Sequence, residues 1–386
     1  MTAQEHEPEY KTAKGVKASD ELPIFYPIKP AWWNRRTLWN FLKAIFPFLN
    51  VALAGVVIWL AMRGDDVYFS SIFEVNINWW FVALALATVY IVLLLDSGRL
   101  WFVMKQTTGE GRFVLSLKTF TLTRFYHMLT PLMSGGHPYQ VYYLHKHGFN
   151  MGKTTSVVVS NYIIGRIGFQ LCTGLILAFL IFRIGDLDGG GIVTSSIIIG
   201  ITYALVLTAV FLMVAFSHRL PKRLALLSIL ILSKIKIIKN KQKAESQTLE
   251  TLWVYRVAMR KLLRRPWIFG GLSILSAAAC FLYLFNIVWI YSALWGFPSF
   301  NTIALLLLGI TLVDYTTGFI PIPGGTGGME LFFLAIFATL FGSPQVIVAV
   351  VLWKVVSYIL PIVNGLPVLL LDSFKRDKKI STTDNI

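Results

Sequence analysis

Six long apolar runs constrain this chain more than anything else in it. They cover approximately residues 44–62, 79–95, 154–182, 192–216, 267–295 and 345–371. Each is long enough to cross a bilayer as a helix. Inside hydrocarbon every backbone N–H and C=O must be satisfied within the protein, which leaves only helices and closed barrels. Composition agrees: the chain is 56% hydrophobic and 14% charged, with a mean hydropathy of +0.66, whereas soluble domains carry about a quarter charged residues. That excludes a disordered tail protein, a secreted disulfide scaffold and an ordinary cytosolic enzyme. It also leaves no polar stretch long enough for a large water-soluble catalytic domain. The expected fold class is an all-α polytopic integral membrane protein.

The chain has 35 Lys+Arg against 19 Asp+Glu, a formal charge of +16. In a soluble protein that balance points to nucleic acid. Here the excess sits in a few loops, where basic residues set topology and touch anionic headgroups. Membrane lipids with anionic headgroups, and no nucleic acid, are the expected partners. The 63–78 loop carries Asp65, Asp66 and Glu74 against Arg63 and belongs outside, as does 183–191 with Asp186 and Asp188. The 96–118 loop holds Arg99, Lys105, Arg112 and Lys118 against Asp96 and Glu110 and belongs inside. So do the very basic stretch 218–266 and the tail with Lys375, Arg376, Lys378 and Lys379. Trp79, Trp80, Trp101, Trp267 and Trp295 lie near span ends, as in an interfacial aromatic belt. Residues 1–40 read as a disordered cytosolic tail, 41–372 as the transmembrane domain and 373–386 as a second cytosolic tail. The expectation is a multi-pass protein of the plasma membrane with both termini cytoplasmic.

Parity then restricts three shorter apolar segments, at about 113–133, 302–319 and 328–342. The 134–153 loop, with Lys146 and Lys153, precedes a span that ends outside, so it is inside, and 113–133 must dip in and return. By the same count 302–342 starts and ends outside. Two re-entrant Pro/Gly-broken helical hairpins thus accompany about six full spans. Irregular backbone at membrane depth must be shielded by protein or line a cavity, so a central cavity is expected.

The two hairpins echo each other: LTPLMSGGHPYQVYYL from Leu129 and FIPIPGGTGGMELFFL from Phe319. Allowing one gap, Pro131 matches Pro321 and Gly135-Gly136 match Gly324-Gly325. One opens inward and one outward, the pattern of an inverted repeat with a midplane site. Chance recurrence of Pro and Gly in loops is the competing explanation.

Glu330 stands out among the polar residues, because a carboxylate in an apolar neighbourhood must be paired or wetted. It follows Gly324, Gly325, Gly327 and Gly328, whose amides suit an anion nest or an exposed helix start. A tight helix–helix turn with Glu330 as a first-turn helix charge is the plainer alternative. Arg166 lies mid-span with Asn161 and Gln170 about a turn away on either side, and a buried arginine pairs with an acid or a phosphate. A structural ion pair with Glu330 or Asp314 is its alternative role. Asp314, Lys354 and Arg124 are further partners or relays, with snorkelling to an interface open to Lys354 and Arg124. His137, His145 and His147 have no acidic or thiol partner at a usable spacing and read as interfacial, not as metal ligands. Cys172 and Cys280 read as small buried hydrophobes. GFNMGKTT, from Gly148, fails as a phosphate loop because His147 stands where a glycine is needed. No catalytic triad, metal or cofactor is expected. The stretch 221–238 is basic and apolar, and suits either a surface amphipathic helix or a bundle-packing one.

These motifs resemble a known family. P-x-P-G-G-x-G-x-x-E, from Pro321 to Glu330, is similar to the signature of the lysylphosphatidylglycerol synthase transmembrane, or flippase-like, family. So is T-P-x-x-x-G-G-x-P-x-Q, from Thr130 to Gln140, including Gly135 and Gly136, and so is the N-Y-x-x-x-R stretch from Asn161 to Arg166. The two Pro/Gly motifs lie about 190 residues apart, and the similarity spans about residues 40–375. The resemblance implies a lipid-handling membrane domain. In bifunctional members this unit moves aminoacylated phosphatidylglycerol between leaflets, and a soluble C-terminal domain transfers the aminoacyl group. The chain ends about fifteen residues after its last span, so that soluble domain is not expected here.

The expected function is therefore a lipid translocase for an anionic, aminoacylated or polyprenyl-phosphate-linked lipid. Arg166, with Arg124 or Lys354, would hold phosphate. Glu330 and Asp314 would hold an amine or carry a coupling proton. Gly135, Gly136, Gln140, Asn161 and the four later glycines would line the site. The competing readings are a phosphatidylglycerol lysyltransferase-related membrane enzyme, and a scaffold subunit for a separate lipid-modifying enzyme. A homodimer is compatible with any of the three.

Overall fold

The computed structural model describes residues 74–183, 264–317 and 322–383, together with isolated positions between 202 and 230. The expected spans at 44–62 and 192–216, the tail 1–40 and nearly all of the basic stretch 218–266 lie outside the described residues. The described residues are helical and contain no strand. Helix α1 covers Trp79–Thr108, α2 Phe113–Leu129, α3 Gly136–Lys146 and α4 Met151–Arg183. Helix α5 covers Pro266–Trp295, α6 Phe300–Thr317 and α7 Gly328–Phe341. Helix α8, Gln345–Lys354, runs through a π-helical segment, Val355–Ile359, into α9, Leu360–Thr383. Three stretches among the described residues are long and apolar enough to cross a membrane: α1, α5 and the run Gln345–Asp372. The protein is a multi-pass helical membrane protein.

Local chemistry sets the ends. Asn78 starts α1 by accepting the Trp80 N–H on its side chain (3.1 Å), a standard use of asparagine at a helix N-terminus. Gly109, at φ 83°, ends it in a left-handed turn whose N–H donates to the Lys105 carbonyl. Pro266 opens α5, where its missing N–H is not needed.

Two corrections follow. First, α1 does not stop at 95: Asp96 and Arg99 lie inside it, and the apolar residues Leu100, Val103 and Met104 beyond them are buried. The connection between α1 and α2 is therefore only residues 109–112. Two of the charges counted as loop charges are in fact internal. Second, the expected loop 134–153 contains a helix, α3.

The order long helix, short helix, single 3-10 turn, short helix, long helix occurs twice. The turns are Pro131–Met133 and Pro323–Gly325. Backbone hydrogen bonds fix the register between the copies. Met133 N donates to the Thr130 carbonyl (3.2 Å) and Gly325 N to that of Ile322 (2.9 Å). Tyr139 N donates to Gly135 (3.2 Å) and Leu331 N to Gly327 (3.1 Å). Thr154 N donates to Asn150 and Val346 N to Gly342, both at 2.9 Å. All three pairs are related by a constant 192 residues, without a gap. Pro131 therefore corresponds to Pro323, not Pro321, and Gly135-Gly136 to Gly327-Gly328, not Gly324-Gly325.

Each copy has its own core. The first is built around Leu100, Met104, Leu122, Tyr143 and Leu144. The second is built around Leu284, Ile287, Leu306, Phe333, Phe337 and Phe341. Lipid tails are as apolar as leucine, so helices in a bilayer associate through close packing and small residues. Gly168 shows this where α4 crosses α5: a Cβ there would sit 2.3 Å from Ser276 Cβ. α1 and α5 pack together along their lengths, and the two 3-10 turns touch each other at the junction of the copies.

Candidate functional site

The second turn carries a closed charge pair. Three glycines there take positive φ: Gly324 (64°), Gly325 (63°) and Gly327 (87°). Gly324 also lies under the Tyr358 ring, where a Cβ would approach Cε2 to 2.2 Å. The backbone then enters α7 at Gly328, with Glu330 in the first helical turn. Glu330 is fully buried. Its Oε2 accepts the Gly327 N–H at 2.7 Å, and its Oε1 accepts from Lys354 Nζ. Lys354 also donates to Thr326 Oγ1 at 3.0 Å and lies 4.7 Å from the Tyr358 ring centroid. Lys354 is the last residue before the π-helical segment and Tyr358 lies within it. A π-bulge widens one helical turn and is often found at functional positions. The anion nest expected at these glycines is thus filled from within, by the chain's own carboxylate.

The first turn has the same hydrogen-bond register but different chemistry, and its backbone departs at Gly135, where φ is -80° against 87° at Gly327. Leu132 (φ 54°) and Met133 (φ 50°) occupy the left-handed places that Gly324 and Gly325 hold in the second turn. Thr130 Oγ1 accepts the Gly135 N–H at 2.8 Å, and His127 Nδ1 donates to the Met133 carbonyl. A Cβ on Gly135 would meet Thr130, and one on Gly136 would meet His127, each at 2.5 Å or less. His137 stacks edge-on against both His127 (4.8 Å) and Tyr162 (4.9 Å). It therefore packs within this cluster of rings. Gln140 is fully buried; its Oε1 lies 3.5 Å from His137 Nδ1, and its Nε2 has no partner. Arg166 lies over the Tyr162 ring at 5.5 Å. It is exposed on the protein surface and makes no ion pair among the described residues.

A third group lies between α1, α2, α4 and α5. Asp96 pairs with Arg99 and with Arg124, each at 3.1 Å. Arg99 Nε donates to Asn161 Oδ1 at 3.0 Å, and its Nη1 donates to Ser276 Oγ. Gly165 makes room for this guanidinium, since a Cβ there would sit 3.3 Å from Nη2. Arg124 and Asn161 are therefore committed to this internal knot. Gln170 accepts from the Tyr315 hydroxyl at 3.0 Å. The expected single polar face on α4 is split. Asn161 and Arg166 are five residues apart, about 140° around a helix of 3.6 residues per turn. Asp314 is half-buried and makes no hydrogen bond or ion pair among the described residues. Arg166 is close enough for its charge to act on it.

Of the expected site residues, the fold brings Glu330, Lys354, Gly324, Gly325, Gly327 and Gly328 together at one turn. It brings Gly135, Gly136, Gln140 and Arg166 together at the other. Asp314 lies within electrostatic reach of Arg166, while Arg124 and Asn161 are drawn off by Asp96 and Arg99. The Arg166–Glu330 pair does not form. Arg166 is accessible, and neither it nor Asp314 makes an ion pair among the described residues.

A family model described as the lysylphosphatidylglycerol synthase TM region matches residues 48–365. The chain belongs to this family. No curated protein and no solved structure matches the chain. For a lysylphosphatidylglycerol synthase TM region protein, the two Pro/Gly motifs that carried the sequence resemblance are the two turns that meet. Residues missed from the sequence are Asp96, Arg99, His127, Tyr162 and Tyr358. Two signals could have found some of them. The apolar run resumes at Leu100 immediately after Asp96 and Arg99, and a cation and an aromatic stand four residues apart in both Tyr162–Arg166 and Lys354–Tyr358.

Proposed function

We propose that this protein is a lipid translocase, moving an anionic or aminoacylated phospholipid, or a polyprenyl-phosphate-linked lipid, between leaflets. The observation that carries this reading is the contact between the two Pro/Gly turns, with Arg166 beside the first turn and Asp314 within its electrostatic reach, neither having an ion-pair partner among the described residues. Ionisable groups at membrane depth are retained where they line a substrate or ion path. In this proposal α2–α3 and α6–α7 are re-entrant hairpins that enter from opposite faces, so the copies form an inverted repeat with the site near the midplane. The headgroup passes between the turns while the tails stay in the bilayer. Arg166 takes the phosphate, and Asp314 takes an amine or a coupling proton. The protein sits in the plasma membrane with both termini cytoplasmic.

The test is leaflet exchange in liposomes holding the purified full chain, comparing fluorescent anionic, aminoacylated and zwitterionic lipids. Accelerated exchange of at least one class, lost in Arg166→Gln, is expected. If no lipid exchanges faster than in protein-free liposomes, with or without a proton gradient, the translocase reading fails.

A further inference from the structure

The constant register of 192 residues pairs the side chains of the two turns as well as the backbone. Thr326 corresponds to Ser134, Gly327 to Gly135, Gly328 to Gly136 and Glu330 to Pro138. On the long helix that follows, Lys354 corresponds to Tyr162 and Tyr358 to Arg166. Both copies thus stack a cation on an aromatic ring four residues away, with cation and ring exchanged. In the second copy the cation is neutralised by Glu330, which also caps the start of α7. In the first copy the acid is missing: α3 has no acidic residue in its first turn and no side-chain cap. The first copy therefore has the cation and the helix start without the anion.

We infer that the first turn is an anion-binding subsite that takes a phosphate group, and that Glu330 in the second turn is the built-in counterpart of that ligand. Three groups of donors lie at or beside this turn. The α3 N-terminus offers amides and the positive end of the helix dipole. Arg166 offers a planar fork suited to phosphate. Gln140 provides independent support: it is fully buried, and its Nε2 is a donor with no acceptor, which a buried polar group rarely tolerates. Its amide head touches His137, whose ring stacks on Tyr162 under Arg166, so the orphaned donor belongs to this cluster. By the same comparison the Glu330–Lys354 pair is a permanently closed twin and does not contact the substrate. This inference deepens the translocase proposal by naming where the phosphate sits, and it rests on that reading for the phosphate being a lipid's.

The test uses the full chain in neutral detergent, with dioctanoyl-phosphatidylglycerol, inorganic phosphate and dioctanoylglycerol as probes, and reads binding by calorimetry. Dioctanoyl-phosphatidylglycerol is expected to bind and dioctanoylglycerol is not. Arg166→Gln should weaken binding at least tenfold. So should Pro138→Glu, which supplies the first turn with the carboxylate of the second. Pro138→Gln, equal in size without the charge, should stay within threefold of wild type and guards against a folding defect. Glu330→Gln combined with Lys354→Met should also stay within threefold. Inorganic phosphate that competes with the lipid would identify a free anion as a second occupant. Phosphate that does not compete would assign the subsite to the lipid headgroup alone. Wild-type binding in Arg166→Gln or in Pro138→Glu overturns the inference. Binding that follows this pattern without leaflet exchange would sink the translocase reading and leave the subsite standing. Exchange that persists in Arg166→Gln would do the reverse.

Discussion

The two Pro/Gly turns share a hydrogen-bond register and differ in whether their charge is spent. The second turn holds a buried acid, a buried lysine and glycines at every left-handed position. The first holds an accessible arginine, no acid, and side chains at two left-handed positions. One frame thus serves as an internally satisfied pillar in one copy and as an open polar site in the other. A membrane protein cannot leave a charge in hydrocarbon without a partner, so the copy without an internal anion is the one free to accept an external one.

The largest break in this comparison should come from Glu330→Gln. It leaves the Lys354 ammonium buried against a neutral amide, and removing one partner of a buried pair typically lowers stability by about 3–5 kcal/mol. Adding Lys354→Met should recover most of that loss, because a buried pair replaced by apolar groups is often neutral. Thermal unfolding in detergent of the two variants checks this, and a single variant as stable as wild type would mean that the pillar is not closed. For the same reason Glu330→Gln alone is a poor control for transport.

Gly324→Ala comes next. The left-handed conformation disfavours a Cβ by about 1–2 kcal/mol, and overpacking against the Tyr358 ring adds about 1–3 kcal/mol. A loss of about 2–5 kcal/mol is expected, read by the same unfolding assay. Leu132→Ala is the matched control. It has nearly the same φ, but Leu132 is 53% exposed, so a change below about 1 kcal/mol is expected for a lightly packed site. Equal losses at 132 and 324 would remove the distinction between a covered turn and an open one.

Much of this was legible in the sequence, and the failures have definite causes. Membrane spans are properties of continuous runs, so 267–295 matches Pro266–Trp295 and 345–371 matches Gln345–Asp372 almost to the residue. The end of α1 was misplaced because counting charges treats every charged residue as exposed. Asp96 and Arg99 satisfy one another and Asn161 inside the bundle. The repeat was visible but set two residues out of register at the prolines and three at the glycines. The stretch Gly-Gly-Thr-Gly-Gly offers two glycine pairs, and only the backbone hydrogen bonds select the second. The partner of Glu330 was legible only as one of several candidates, Lys354 among them. Lys354 lies 24 residues away, at the far end of the next helix, and local pattern does not say which of several cations a turn will face.

The smallest expected effect is also the sharpest probe of the open turn. Leu132→Gly relieves a left-handed strain of about 1–2 kcal/mol, offset by roughly 0.5–1 kcal/mol of extra backbone entropy lost on folding. The exposed side chain contributes little burial, so a net gain of up to about 1.5 kcal/mol is expected in thermal unfolding. Strain kept where glycine would remove it is often part of how a site works, and the equivalent place in the closed turn is already glycine. If the strained first turn must shift for the headgroup to pass, Leu132→Gly should change the rate of leaflet exchange while it raises stability. A gain in stability with an unchanged rate would mean that the strain at Leu132 is incidental, and that the two turns differ in charge alone.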